Sequence, residues 1–141
     1  MKVGNKAVDF SLEDSQGNLT SLSDFEGNII ILNFWASWCP PCVKEMPDLM
    51  EVGKKYEDNG VSVVAINRTT IEIQPEDAEE FLEDENIELF VLYDIEDEVS
   101  NLYNIPGVPV TLIIDQDFKV IKRINGEVNE EILIAEIEEL L

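Results

Sequence analysis

One junction constrains this chain more than any other feature. Ile29-Ile30-Ile31-Leu32-Asn33-Phe34-Trp35 is a nearly continuous β-branched and aromatic run, the composition of a central strand buried on both faces. It ends beside Cys39-Pro40-Pro41-Cys42. From Pro40 to about Asn59 the apolar residues Val43, Met46, Leu49, Met50, Val52 and Tyr56 recur at helical spacing, and Asn59-Gly60 is a stop signal. A strand that turns straight into such a helix places Cys39 at its N-cap. There the unpaired backbone N–H groups and the helix dipole stabilise a thiolate, so the Cys39 pKa should fall below that of a free thiol. Pro40 and Pro41 occupy the first turn, where no N–H is missed, and they rigidify the loop between the sulfurs. Cys42, one turn along and more enclosed, is the candidate resolving thiol. Pro47, inside the helix, removes the bond to the Val43 carbonyl and predicts a kink about one turn after the motif.

A CxxC pair can also be half of a zinc site. A tetrahedral site needs two further ligands, and with no histidine and no other cysteine in the chain only carboxylates remain. The absence of histidine also removes Ser-His and Cys-His nucleophile pairs. A bridge closing so small a ring adds little stability, so the pair reads as reactive rather than as a staple. The expected redox group is the Cys39–Cys42 disulfide itself, with no metal and no separate cofactor.

The remaining pattern is that of one α/β domain over residues 1–141, long enough to bury a core without staples. Asp9-Phe10-Ser11-Leu12 and Leu19-Thr20-Ser21-Leu22 flank Ser15-Gln16-Gly17-Asn18, which predicts an N-terminal hairpin within about 8–25. Strands are expected over Val61 to Ile66, Leu89 to Tyr93, Val110 to Ile114 and Phe118 to Ile124, the last two joined by Asp115-Gln116-Asp117. Helices are expected over Pro75 to Asp84 and Ile95 to Tyr103, and from Asn129, a capping residue, to Leu141. Strands alternating with helices early and a hairpin late imply a mixed sheet with helices on both faces.

The net charge is −22, and from Thr69 to Phe118 there is no Lys or Arg. Glu72, Glu76, Asp77, Glu79, Glu80, Glu83, Asp84, Glu85, Glu88, Asp94, Glu96, Asp97 and Glu98 fall in that stretch. Nucleic acid and anionic lipid surfaces would be repelled and basic protein partners attracted. A solvated acidic face that aids solubility is the plainer reading of the same residues. No run approaches the eighteen or more apolar residues of a membrane span. Met1-Lys2-Val3-Gly4 leads straight into folded-looking sequence without the pattern of a secretory signal, which is expected of a cytoplasmic protein if Met1 is the native start, or of one whose leader has been removed.

The stretch Asn33-Phe34-Trp35-Ala36-Ser37-Trp38-Cys39-Pro40-Pro41-Cys42, with Glu45 and Pro47 following, resembles the TlpA/ResA-like branch of the thioredoxin superfamily. The resemblance extends to Ala7-Val8-Asp9-Phe10-Ser11-Leu12, Leu22-Ser23-Asp24-Phe25-Glu26-Gly27 and Gly107-Val108-Pro109-Val110-Thr111, nearly the whole chain. It implies a thioredoxin-like fold with an added N-terminal hairpin and a strand-helix insertion near 69–93. It also implies reductive exchange with protein disulfides outside the cytoplasm of a bacterium, on a membrane-tethered protein recharged by an upstream thiol-disulfide electron donor. By the same resemblance Pro109 is a cis-proline facing the cysteines, and Val108 offers its backbone N–H and C=O to a substrate strand.

Two polar residues carry further expectations. Glu45, three residues after Cys42 on the same side of the helix, is a candidate proton acceptor with a raised pKa, a role the resemblance favours over that of an ordinary acid near a helix start. Asn33 stands where ordinary thioredoxins carry a buried aspartate; an amide cannot titrate, which leaves Glu45 as the ionisable group. Trp35 and Trp38 read first as packing around the motif, with Trp38 grouped with Val108 and Pro109 as a candidate substrate contact. A disulfide-forming oxidant of the same fold and a non-catalytic acidic binding module are the competing functions. A peroxidase shares the hairpin-first layout but not the Trp-Cys-Pro-Pro-Cys motif.

Overall fold

The computed structural model describes residues 2–141. Seven strands form one mixed sheet: β1 (Ser11–Glu13), β2 (Leu19–Ser21), β3 (Ile29–Trp35), β4 (Val61–Asn67), β5 (Phe90–Tyr93), β6 (Val110–Ile114) and β7 (Val120–Asn125), in the order β2-β1-β5-β4-β3-β6-β7. β3 pairs parallel with β4 and antiparallel with β6, and every residue of it is buried. The helices are α1 (Pro40–Tyr56), α2 (Asp77–Asp84), α3 (Glu98–Leu102) and α4 (Glu130–Leu140).

Because side chains alternate along a strand, β3 feeds two cores. Ile29, Ile31 and Trp35 face α1, α2 and α4 and pack with Met46, Leu49, Val52, Ala78, Leu133 and Ile137. Ile30, Leu32 and Phe34 face the other way, toward Phe10, Leu22, Val99, Tyr103 and Ile105. Each such aliphatic or aromatic side chain contributes on the order of 1.5–3 kcal/mol through burial. Asn33 shares the odd-numbered face, which aims its amide at α1.

Element ends follow local chemistry. α1 runs through Pro47 to Tyr56, passes into a short 3-10 turn over Glu57–Asn59, and stops at Gly60 with φ 75°. Asn129 caps α4 by accepting from the Ile132 N–H at 2.8 Å. α2 begins at Asp77, two residues later than the sequence pattern suggests.

α3 is also shorter than the expected Ile95 to Tyr103. Asp94 is fully buried and accepts from the backbone N–H groups of Val99 at 3.3 Å and Ser100 at 2.8 Å, while Asp97 takes a left-handed φ of 60°. The carboxylate holds the N–H groups that would otherwise start the helix at Ile95, and Ile95 is left exposed.

Candidate active site

β3 delivers the chain to the upper end of the sheet, and α1 leads it away with Cys39 as N-cap. The Cys39 Sγ accepts the Cys42 N–H at 3.3 Å, Pro40 and Pro41 fill the first two helical positions, and the two sulfurs form a disulfide with Cα atoms 5.2 Å apart. The expected contrast in exposure is not found: Cys39 is 3% accessible and Cys42 0%. The loops around the N-cap close over the first sulfur in the disulfide form. What separates the two cysteines is the cleft, which Cys39 lines and Cys42 does not.

This cleft, of about 530 Å³, is walled by Trp38, Pro40 and Pro41 on one side and by Pro106, Gly107 and Val108 on the other, with Arg68 and Ile71 between. No carboxylate lines it among the described residues, although the chain is strongly acidic. The Val108–Pro109 peptide bond is cis, and the Val108 carbonyl oxygen lies 3.9 Å from the Cys39 Sγ. Pro109 is buried, and its own carbonyl accepts the Gly126 N–H at 3.0 Å, which fixes the start of β6 to the end of β7.

The two tryptophans have different surroundings. Trp35 is fully buried, with its ring 5.9 Å from that of Phe81. Trp38 is half-exposed, and its indole N–H donates to the Ile71 carbonyl at 2.7 Å. The segment that carries Trp38 is held by a residue sequence reasoning missed. Glu72 accepts from the Ser37 N–H at 2.8 Å, from the Ser37 hydroxyl, and from the Asn67 amide at 2.8 Å. Within a long acidic run nothing local distinguishes Glu72 from its neighbours. Arg68 was missed too, though a lone cation at the end of a buried strand, directly before that run, is a signal.

Glu45 is buried beneath the motif, one helical turn beyond Cys42. Its Oε1 accepts from Asn33 Nδ2 at 2.6 Å and its Oε2 from the Val128 N–H at 3.1 Å. Burial raises its pKa to about 7; those two hydrogen bonds pull it down, and the nearby charges of Glu127 and Asp48 push it up. Asn33 Nδ2 also donates to Thr111 Oγ1 at 3.0 Å, across the β3–β6 pairing that sets Asn33 opposite Thr111. The amide nitrogen thus uses its donors within the core, leaving the buried Asn33 Oδ1 without a partner, and it orients a carboxyl group that titrates near neutrality.

A comparison with protein families matches residues 3–123 to the AhpC/TSA family. The chain belongs to that family. Its relatives include the thiol-disulfide oxidoreductase ResA of Bacillus thuringiensis subsp. konkukian, 34% identical over 131 residues that cover 93% of this chain and 74% of ResA. Among solved structures, one described as a thiol:disulfide interchange protein DsbE from Chlorobium tepidum superposes with a TM-score of 0.90 at 33% identity, covering 99% of this chain and 98% of that one. StoA from Bacillus subtilis superposes with a TM-score of 0.79 at 25% identity over 89% of this chain and 93% of its own. The fold is therefore thioredoxin-like, and the chain is a thiol-disulfide oxidoreductase of the thioredoxin superfamily. The TlpA/ResA-like resemblance read from Trp38-Cys39-Pro40-Pro41-Cys42 and its flanks holds across the molecule.

Proposed function

We propose that this protein works as a reductase of disulfides in protein substrates, with Cys39 as nucleophile, Cys42 as resolving thiol and Glu45 as proton acceptor. The observation that carries this reading is the cleft, where Cys39 alone of the two sulfurs meets the Val108 edge at 3.9 Å. In the dithiol form, the Cys39 thiolate attacks one sulfur of a substrate disulfide, forming the Cys39–substrate bond and releasing the other substrate sulfur as a thiolate. Cys42 gives its proton to the Glu45 carboxylate, attacks the Cys39 Sγ, and expels the second substrate thiolate. The substrate gains two electrons, and the protein is left with the Cys39–Cys42 disulfide.

A carboxyl group that titrates near 7 suits that proton transfer, because both of its states are populated at neutral pH. Val108 and Pro109 would present a backbone edge to the substrate strand, Trp38 would cover its flank, and Pro40 and Pro41 would keep the sulfur loop rigid. The lining, free of carboxylates and apolar apart from Arg68, places little demand on substrate side chains beside the disulfide. The reductive direction, the bacterial extracytoplasmic setting with a membrane tether, and recharging by an upstream dithiol donor rest on the resemblance to the TlpA/ResA-like branch. No helix among the described residues is long and apolar enough to cross a membrane.

The deciding experiment pairs insulin reduction by the dithiol form with the Cys39/Cys42 reduction potential. Turnover with a potential near thioredoxin-like values supports the reductase. A strongly oxidising potential, with disulfide transfer to reduced substrates, would replace it by the oxidant reading.

A further inference from the structure

The chain has only two arginines, Arg68 and Arg123, and both bind the same loop. Arg68, the residue after β4, donates from Nη1 to the Ile105 carbonyl at 3.4 Å. Arg123, on β7, donates from Nη1 to the Tyr103 carbonyl at 2.9 Å and from Nη2 to the Asn104 carbonyl at 2.7 Å. Three consecutive carbonyls are thus held by residues from either side of the β3–β6 pair, immediately before Pro106-Gly107-Val108-Pro109.

Arg68 is itself tied to the motif. It is 8% exposed and lines the cleft beside Cys39. Its Nη2 sits 3.2 Å from both carboxylate oxygens of Asp97, and its backbone N–H donates to the Trp35 carbonyl at 3.0 Å. Its carbonyl accepts the Ile71 N–H at 3.1 Å, next to the carbonyl that receives the Trp38 indole. Arg68 therefore joins three parts of the same cleft: its backbone meets the end of β3 and the segment behind the Trp38 wall, and its guanidinium fork holds Asp97 and the loop that leads to the Val108 wall. A lysine cannot reproduce this, because a point charge does not span a carboxylate and a separate carbonyl in one fixed plane.

Loop carbonyls lack the partners that a helix or ladder supplies, so the donors they find determine where the loop sits. A peptide strand needs the Val108 edge in register with Cys39. A small disulfide needs only the two sulfurs. We propose that Arg68 and Arg123 are a pair of positioning residues that fix the Val108 edge, and that this pair sets the preference for peptide-borne over small-molecule disulfides. The proposal rests on the reading of Val108 as the substrate's backbone partner.

The test compares wild type with Arg68→Lys, Arg123→Lys and the double variant, using a cyclic disulfide peptide and 5,5′-dithiobis(2-nitrobenzoic acid) as substrates. The Cys39/Cys42 reduction potential is measured on each. Each Lys variant should raise KM for the peptide about five- to tenfold, and Arg123→Lys, whose side chain lies outside the cleft lining, should leave kcat, the small-disulfide rate and the potential unchanged. The double variant should lose less than the product of the two single losses, because both side chains hold one loop. Asp97→Asn loosens Arg68 while keeping both arginines, and gives the same comparison if a Lys variant fails to fold. Equal losses on both substrates, a shifted potential that accounts for the loss, or an unchanged peptide KM would overturn the proposal. A wild type that turns over no peptide disulfide would instead reject the underlying reading, before any variant is compared.

Discussion

Asn33 on β3 and Glu45 on α1 are joined by a 2.6 Å hydrogen bond, which ties the strand leading into the cysteines to the helix that carries them. The amide leaves Glu45 as the ionisable partner, and burial brings that carboxyl group to a pKa of about 7. Glu45→Gln should therefore flatten the pH dependence of disulfide exchange between about pH 6 and 8 and slow it roughly ten- to hundredfold near neutrality. Stopped-flow exchange and Cys39 alkylation against pH measure both effects. Superimposable profiles would reduce Glu45 to a structural acid.

The same group links stability to pH. Its native pKa lies above the ordinary glutamate value of 4.5, so between these values the native state holds more protons than the unfolded chain. The stabilisation is complete below about pH 4.5 and is lost as pH rises through about 7, a change on the order of 3 kcal/mol. Urea denaturation of the disulfide form at pH 5 and pH 8 should show this fall in wild type and a smaller one in Glu45→Gln. An equal fall in both would place its origin elsewhere.

Asn33→Asp puts a second carboxyl group against Glu45. Two carboxylates at that distance cannot both ionise in a buried site, so the pair should titrate in two separated steps, the upper one above the wild-type value of about 7. Carboxyl-selective infrared titration would detect it. A single step at the wild-type position would show that water or movement separates the groups.

Glu72→Ala removes the acceptor shared by Ser37 and Asn67. It should cost about 1–3 kcal/mol, read by denaturant melting, because partly buried donors lose their partner. It should also raise KM for a protein substrate, since Ser37 adjoins Trp38 at the cleft. A stability loss with no change in KM would confine Glu72 to a structural role.

The exposed acids of α2 and of the loop before α3 should attract basic substrates. For a lysine-rich disulfide peptide the second-order rate should fall roughly tenfold between low salt and 0.5 M salt, with little change for a neutral peptide. A salt-independent rate would leave solubility as the reason for the charge.

Where the signal was local, the sequence carried the fold. The apolar run Ile29–Trp35 could be read as β3 because only a two-sided core accommodates it, and Asn129 could be read as a cap because its oxygen reaches three residues along. The cysteine N-cap was visible for the same reason. The residues that shape the cleft were not visible. Glu72 meets Ser37 across 35 positions and Arg68 meets Ile105 across 37, and an acidic run does not show which of its members turn inward. Asp94 and Asp97 belong to that run by composition, yet one is a buried cap and the other holds Arg68. The expected exposure of Cys39 failed similarly, because the covering loops come from distant segments.

On the proposed mechanism Cys39 alone meets the substrate, and trapping tests this most directly. Cys42→Ser should stall after the first attack and accumulate a mixed disulfide through Cys39, identified by mass spectrometry and released by dithiothreitol. Cys39→Ser should trap little and reduce no insulin. If both single variants reduce insulin at the wild-type rate, disulfide exchange at this motif is not what the protein does.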